Sequence, residues 1–173
     1  VPVKSKTPKE FTSSVYYYID ATILSRAAKM FGKEEDFLKY SELAKQIKEK
    51  INSLYFNPKT SIYGSGFQTE LSTALFWGIV PEENREKVAL NLKKRVLLDN
   101  SHIDVGLLGS KTILNALSEN GHADLAYKLA TQEDFPSWGA WIKSGATTLF
   151  EDWKVDESRK GAMSRNHIMF GEI

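Results

Sequence analysis

Hydrophobic positions recur at intervals of three and four along most of the chain, while the charge between them rises and falls from one segment to the next. Thr12 or Ser13 can cap a first helix running to about Phe31, where Gly32 ends it. Its apolar positions are Val15, Tyr16, Ile19, Ile23, Leu24, Ala27 and Ala28, and only Asp20, Arg26 and Lys29 are charged, so most of its girth is expected to be buried. Residues 33 to about 55 behave differently: one stripe (Phe37, Tyr40, Leu43, Ala44, Ile47, Ile51, Leu54) lies in a heavily charged surround, which describes a solvated outer helix. Asn57-Pro58 ends it, and a loop over 59–66 follows with Tyr63-Gly64-Ser65-Gly66 as turn material. A third helix, 67 to about 79, carries one charge, Glu70. Pro81 opens a fourth, 82 to about 99, that is charged except for Val88, Leu92 and Val96. Residues 102–109 lead into a helix over about 110–119, Asn120-Gly121 breaks it, and its partner spans 123 to about 132. Residues 1–11 read as an irregular lead-in because Pro2 and Pro8 oppose regular structure.

Charge-poor helices thus alternate with charge-rich ones three times, joined by short turns, and no segment alternates with period two long enough to predict a sheet. The expected fold is all-α: two concentric layers of antiparallel helical hairpins, either an αα-toroid or an arc of a helical solenoid. The unequal hairpin lengths argue against a consensus repeat. At 173 residues, with 42% hydrophobic and 26% charged positions, the chain suits one domain with a sizeable core. A net charge of +1 and the absence of a Lys/Arg stripe predict no attraction to nucleic acid or to a membrane surface. There is no cysteine, hence no disulfide or thiolate chemistry. No apolar run approaches the ~20 residues of a membrane span, and no apolar stretch of a signal peptide follows the lead-in. The missing initiator Met and the stop at residue 173 suggest a fragment.

The chemistry concentrates in residues 135–153, which hold three of the four tryptophans (Trp138, Trp141, Trp153), several small residues and the carboxylate Glu151. Aromatic faces that stack on sugar C–H groups, beside hydroxyls and an acid, are what a carbohydrate site needs. The bland alternative is a Trp-rich core segment with a solvated Glu at a helix end.

The motifs PSWG (136–139), GATTLFEDW (145–153) and SRNHIMFG (164–171), with YYYID (16–20), GFQT (66–69) and VGLLG (105–109) upstream, resemble in order the C-terminal part of the catalytic barrel of α-L-rhamnosidases, glycoside hydrolase family 78. Phe150, Ala140 and Ile168 depart from the family's commoner residues and bear on the shape of a sugar pocket. The resemblance covers nearly the whole chain and implies about half of an (α/α)6 barrel, with 135–173 as the active-site segment. It implies an inverting removal of terminal α-L-rhamnose from glycosides or polysaccharides, with Glu151 as general base. It places His167 at the sugar, where a lone histidine otherwise reads as a structural hydrogen-bonder. Phe150 and Trp153 are expected to desolvate Glu151 partly, and Thr147 or Thr148 to orient it. Trp138 is the expected stacking platform with Trp141 and Trp153 behind it, each otherwise a core residue. Asn166 and Arg165 either contact substrate or fix their loop.

For a second carboxylate, Asp152 is set aside because helix neighbours diverge by about 100°, and Asp104 is expected to cap the helix after it. The family's general acid lies upstream of this sequence, so the chain is expected to carry the base without the acid and to be inactive alone. No metal or cofactor is expected, since no two histidines stand at ligand spacing. The partner is a rhamnoside, and a homodimer through the exposed half-barrel face is a further expectation. Two other functions stay open: another sugar-active αα-toroid, such as a lyase or different glycosidase, and a non-catalytic helical scaffold for a protein partner, which would leave Glu151 solvated and His167 buried.

Overall fold

The computed structural model describes residues 6–154 and 164–171. Its helices are α1 (Lys9–Met30), α2 (Glu34–Tyr55), α3 (Gln68–Phe76), α4 (Arg85–Leu98), α5 (Leu107–Glu119), α6 (Ala123–Ala130) and the short α7 (Trp138–Lys143). Single 3-10 turns cover Glu82–Asn84 and Ile168–Gly171. The strands β1 (Phe56–Asn57) and β2 (Ile62–Tyr63) pair antiparallel, Phe56 opposite Tyr63 and Asn57 opposite Ile62.

Helices α1–α2, α3–α4 and α5–α6 pack as hairpins, and α3 lies between α1 and α5. This is the expected arc of two layers, with the charge-poor helices inside. Helix α3 is buried at every position from Gln68 to Leu75. It packs close to α5: Ser72 and Thr112 share a hydroxyl–hydroxyl hydrogen bond of 2.9 Å. A Cβ at Gly109 would lie 2.8 Å from Thr69 Oγ1 and 2.6 Å from Val105 Cβ, so only glycine permits that approach. The outer helix α2 closes the far end of α3, where Lys48 Nζ donates to the Gly78 carbonyl (2.7 Å) and Asn52 Nδ2 to that of Ile79 (3.0 Å).

Several boundaries differ from the pattern. Helix α1 starts at Lys9, directly after Pro8, which has no amide to satisfy and stands at the cap. The hydroxyls of Thr12 and Ser14 donate to the Lys9 and Glu10 carbonyls inside the first turns instead of capping them. Burial of α1 was also overestimated, for Tyr17, Ile23 and Leu24 are 55%, 56% and 48% exposed. The 59–66 loop is clamped by the two-residue ladder, which puts Tyr63 in the core with its hydroxyl donating to Asn52.

The inner helices begin at one end of the arc. Gln68, the first residue of α3, is fully buried; its Nε2 donates to Asp99 Oδ2 (2.8 Å) and the His102 carbonyl (2.9 Å), and its Oε1 accepts from the Asp104 amide (3.0 Å). The loop before α5 is therefore fastened to the start of α3. Asp104 does not cap α5, since Gly106 occupies that position; its carboxylate pairs with Lys6 at 2.6 Å, just before α1.

Candidate active site

The segment after α6 returns across this end of the arc. Its first anchor is the hydrogen bond between His102 Nε2 and Asp134 Oδ1 (2.9 Å), which holds the Asp134 carboxyl below its usual range. The buried Ser137 then caps α7, its Oγ accepting from the Ala140 amide at 2.9 Å. Trp138 and Trp141, three residues apart, consequently share one face.

That face builds an aromatic cluster. Trp141 stacks on Trp153 (centroids 4.6 Å apart, planes at 20°), Trp138 meets Trp153 edge-on at 5.1 Å, and Phe170 meets both Trp141 and Trp153 edge-on. Each indole N–H is spent on a backbone carbonyl: Trp138 on Phe170 (3.2 Å), Trp141 on Trp153 (3.0 Å) and Trp153 on Val105 (2.6 Å). Three separate stretches, α7, 149–154 and 164–171, are thereby tied together and to the loop before α5. Trp141 is 2% exposed and supports the cluster from below, whereas Trp138 and Trp153 are half-buried.

Glu151 lies beside this cluster, at the start of a bend over 151–154. Its amide donates to the Ser164 carbonyl (2.9 Å), and the His167 amide donates to the Leu149 carbonyl (2.7 Å). These two bonds lay the segment 149–151 alongside the segment 164–167. Glu151 Oε2 accepts from the Ser164 amide at 2.7 Å. The His167 ring is half-buried, and its Nε2 is enclosed without a hydrogen-bond partner. Asn166 and Arg165 are exposed; the Asn166 amide donates to Ser164 Oγ (3.2 Å), and the Arg165 guanidinium lies 5.6 Å over the Phe150 ring.

Three expectations are corrected. Phe150 packs on Trp141 and Trp153 packs within the indole cluster, so the Glu151 carboxylate stays exposed rather than desolvated by them. Thr148 donates to the Arg165 carbonyl, and a backbone amide, not a threonine, holds the carboxylate. Residues 151–154 form bends, so the helical argument against Asp152 does not apply; its Oδ1 accepts from the Lys154 amide at 3.3 Å. The exposure of Glu151 is what the scaffold reading anticipated, whereas His167 is half-buried rather than buried as that reading required.

The one charge of α3, Glu70, is an acid to which the sequence assigned no role. Glu70 is 1% exposed, and its Oε2 accepts from the Ser65 and Phe67 amides, each at 3.0 Å. Phe67 cannot cap α3 with its own side chain, and an acid three residues into a helix is the signal for such a back-reaching bond. Burial pushes the Glu70 carboxyl up against the opposing pull of those amides. Among the described residues no group of three or more His, Cys, Asp or Glu could hold a metal ion, and no helix is long and apolar enough to cross a membrane.

Residues 1–173 match the model of the bacterial alpha-L-rhamnosidase 6 hairpin glycosidase domain. An alpha-L-rhamnosidase of Streptomyces avermitilis is 30% identical over 176 residues, covering 99% of this chain and 17% of its own length. The solved alpha-L-rhamnosidase from Dictyoglumus thermophilum superposes with a TM-score of 0.86 at 36% identity, covering 97% of this chain and 20% of that one. The Streptomyces avermitilis alpha-L-rhamnosidase complexed with L-rhamnose does so with a TM-score of 0.87 at 29% identity, over 98% and 17%. The chain thus spans a fifth or less of the length of these relatives.

Proposed function

The chain belongs to the bacterial alpha-L-rhamnosidase six-hairpin glycosidase family, and from that membership we propose that it forms part of an inverting α-L-rhamnosidase in which Glu151 is the general base. The substrate is a terminal α-L-rhamnoside of a glycoside or polysaccharide. The observation that supports this reading is the pair of backbone bonds, Glu151 to Ser164 and His167 to Leu149, that sets the segments carrying Glu151 and His167 side by side next to the half-buried Trp138 and Trp153. In the reaction, water loses a proton to the Glu151 carboxylate as its oxygen attacks the anomeric carbon, and a carboxylic acid protonates the departing oxygen. The two groups stand ~6.5–9.5 Å apart to admit the water. The half-buried His167 is assigned hydrogen bonds to ring hydroxyls on the strength of the resemblance. Trp138 is the stacking face, with Trp153 and the covered Trp141 holding it, and Asn166 borders the sugar.

The resemblance places the partner acid upstream of this sequence, outside residues 1–173, and three acids of the described residues are otherwise engaged. Asp104 is engaged by Lys6, Glu70 is enclosed under the start of α3, and Asp152 bonds its own loop. The chain alone should leave an aryl α-L-rhamnoside untouched, whereas the full-length protein should release β-L-rhamnose first, seen by NMR during early turnover. Release of the α-anomer as first product contradicts the inverting assignment, and turnover by the isolated chain contradicts the missing acid. The apolar stripe left open on α1 (Tyr17, Ile23, Leu24) supports pairing of the isolated chain with a second copy. A monomer by light scattering at high concentration contradicts that pairing.

A further inference from the structure

Nothing in the motifs says how an exposed carboxylate is kept in one orientation, and the ladder beneath it supplies an answer. Between its two backbone bonds the first segment advances from 149 to 151 and the second from 164 to 167, so the second carries one extra residue. Such a bulge turns neighbouring amides out of the regular ladder, and the carbonyl left over needs another donor. Here the Thr148 hydroxyl donates to the carbonyl of Arg165, which lies in the bulge, while the Arg165 guanidinium rests over the Phe150 ring at 5.6 Å. The Ser164 amide at the bulge's edge is thereby presented to Glu151 Oε2 at 2.7 Å, and among the described residues it alone donates to that carboxylate. A bond to one carboxylate oxygen fixes the plane of the group and leaves its second oxygen for water.

We propose that Thr148 is a positioning residue for the general base: by pinning the bulge at Arg165 it sets the Ser164 amide that orients Glu151, an inference that rests on Glu151 being that base. Thr148 is exposed, so its hydroxyl serves the ladder rather than the core. Valine keeps its shape and removes only the donor.

The test uses amide NMR on this chain and kinetics on the full-length protein. Thr148→Val should speed exchange of the Ser164 amide about tenfold and shift its resonance, and Thr148→Ser should restore both. Thr148→Val should also lower kcat on an aryl rhamnoside about tenfold to a hundredfold with KM unchanged, again restored by serine. A Ser164 amide indifferent to Thr148→Val, or equal loss of kcat in the valine and serine variants, overturns the proposal. Glu151→Gln separates the two levels: undiminished turnover in it removes the base itself. Its loss beside an unaffected Thr148→Val removes only the role of Thr148.

Discussion

The hairpins between Lys9 and Ala130 and the segment over 135–171 are held in opposite ways. In the hairpins, regular helices satisfy their own backbones and the fold is secured by apolar burial, with Leu75, Leu92, Ile113, Leu117 and Leu129 all at 0% exposure. Among the described residues of the segment, one short helix and one 3-10 turn leave the rest of the backbone irregular, and they are held by three indole N–H bonds, a capping serine and a two-bond ladder. The difference teaches how the proposed site is built: a rigid helical layer fixes the frame, and loops fastened to it by directional bonds carry the candidate side chains. Such a segment can lose its geometry without the frame losing its fold.

The largest expected effect tests that separation. Trp141→Ala removes the buried centre of the cluster and should cost about 3–5 kcal/mol locally. Amide exchange should then show lost protection at His167 and Glu151 with Leu117 still protected; simultaneous loss at all three would make the two regions one cooperative unit and break the comparison. Trp153→Phe keeps a ring but strips the donor from the Val105 carbonyl, so it should cost about 1–3 kcal/mol in denaturant and lower turnover, with helical circular dichroism unchanged. Ser137→Ala removes the cap of α7 and should cost about 1 kcal/mol, read as a small shift of the denaturation midpoint.

The smallest effect belongs to the hairpins and depends on pH. The Glu70 carboxyl is raised above its ordinary value of 4.5, so the folded state favours its neutral form. Its stabilising contribution is therefore complete below about pH 4.5 and is lost as pH rises through the raised value. Glu70→Gln should flatten that part of the decline in Tm from pH 4.5 towards neutrality; an unchanged slope would mean that the carboxyl does not titrate in this window.

Much of the frame was legible because the charged surrounds of α2 and α4 leave only a narrow stripe that can be inside, and the breaks at Gly32 and Asn120-Gly121 lie where the pattern stops. Helix α3 was legible too, since α1 and α5 flank it and every face finds cover. Helix α1 has the same charge-poor pattern yet leaves Tyr17, Ile23 and Leu24 open. A hydrophobic pattern reports the surroundings for which a helix is fitted, and α1 stands at the edge of three hairpins with a neighbour on one flank only. Its start was placed at Thr12 or Ser13, and Thr12 is as able to bond backwards inside a turn as to cap one.

At the site, the motifs named Glu151, His167 and the tryptophans as candidates but not the bonds around them. The ladder between 149–151 and 164–167 is too short to leave a period-two signal. The group that orients Glu151 is a backbone amide, which residue identity does not reveal. Gln68 was passed over for a related reason: one amide in an apolar helix gives no hint that it fastens the loop before α5 at three points.

The central claim is that Glu151 deprotonates the attacking water while contributing nothing to the frame. The direct measurement is the turnover of Glu151→Gln in the full-length protein, set beside its Tm. The account predicts a kcat lowered by about a thousandfold or more, several times 1.36 kcal/mol per decade of barrier, with Tm unmoved. A variant that keeps wild-type kcat, or one that loses activity only in proportion to lost stability, contradicts it.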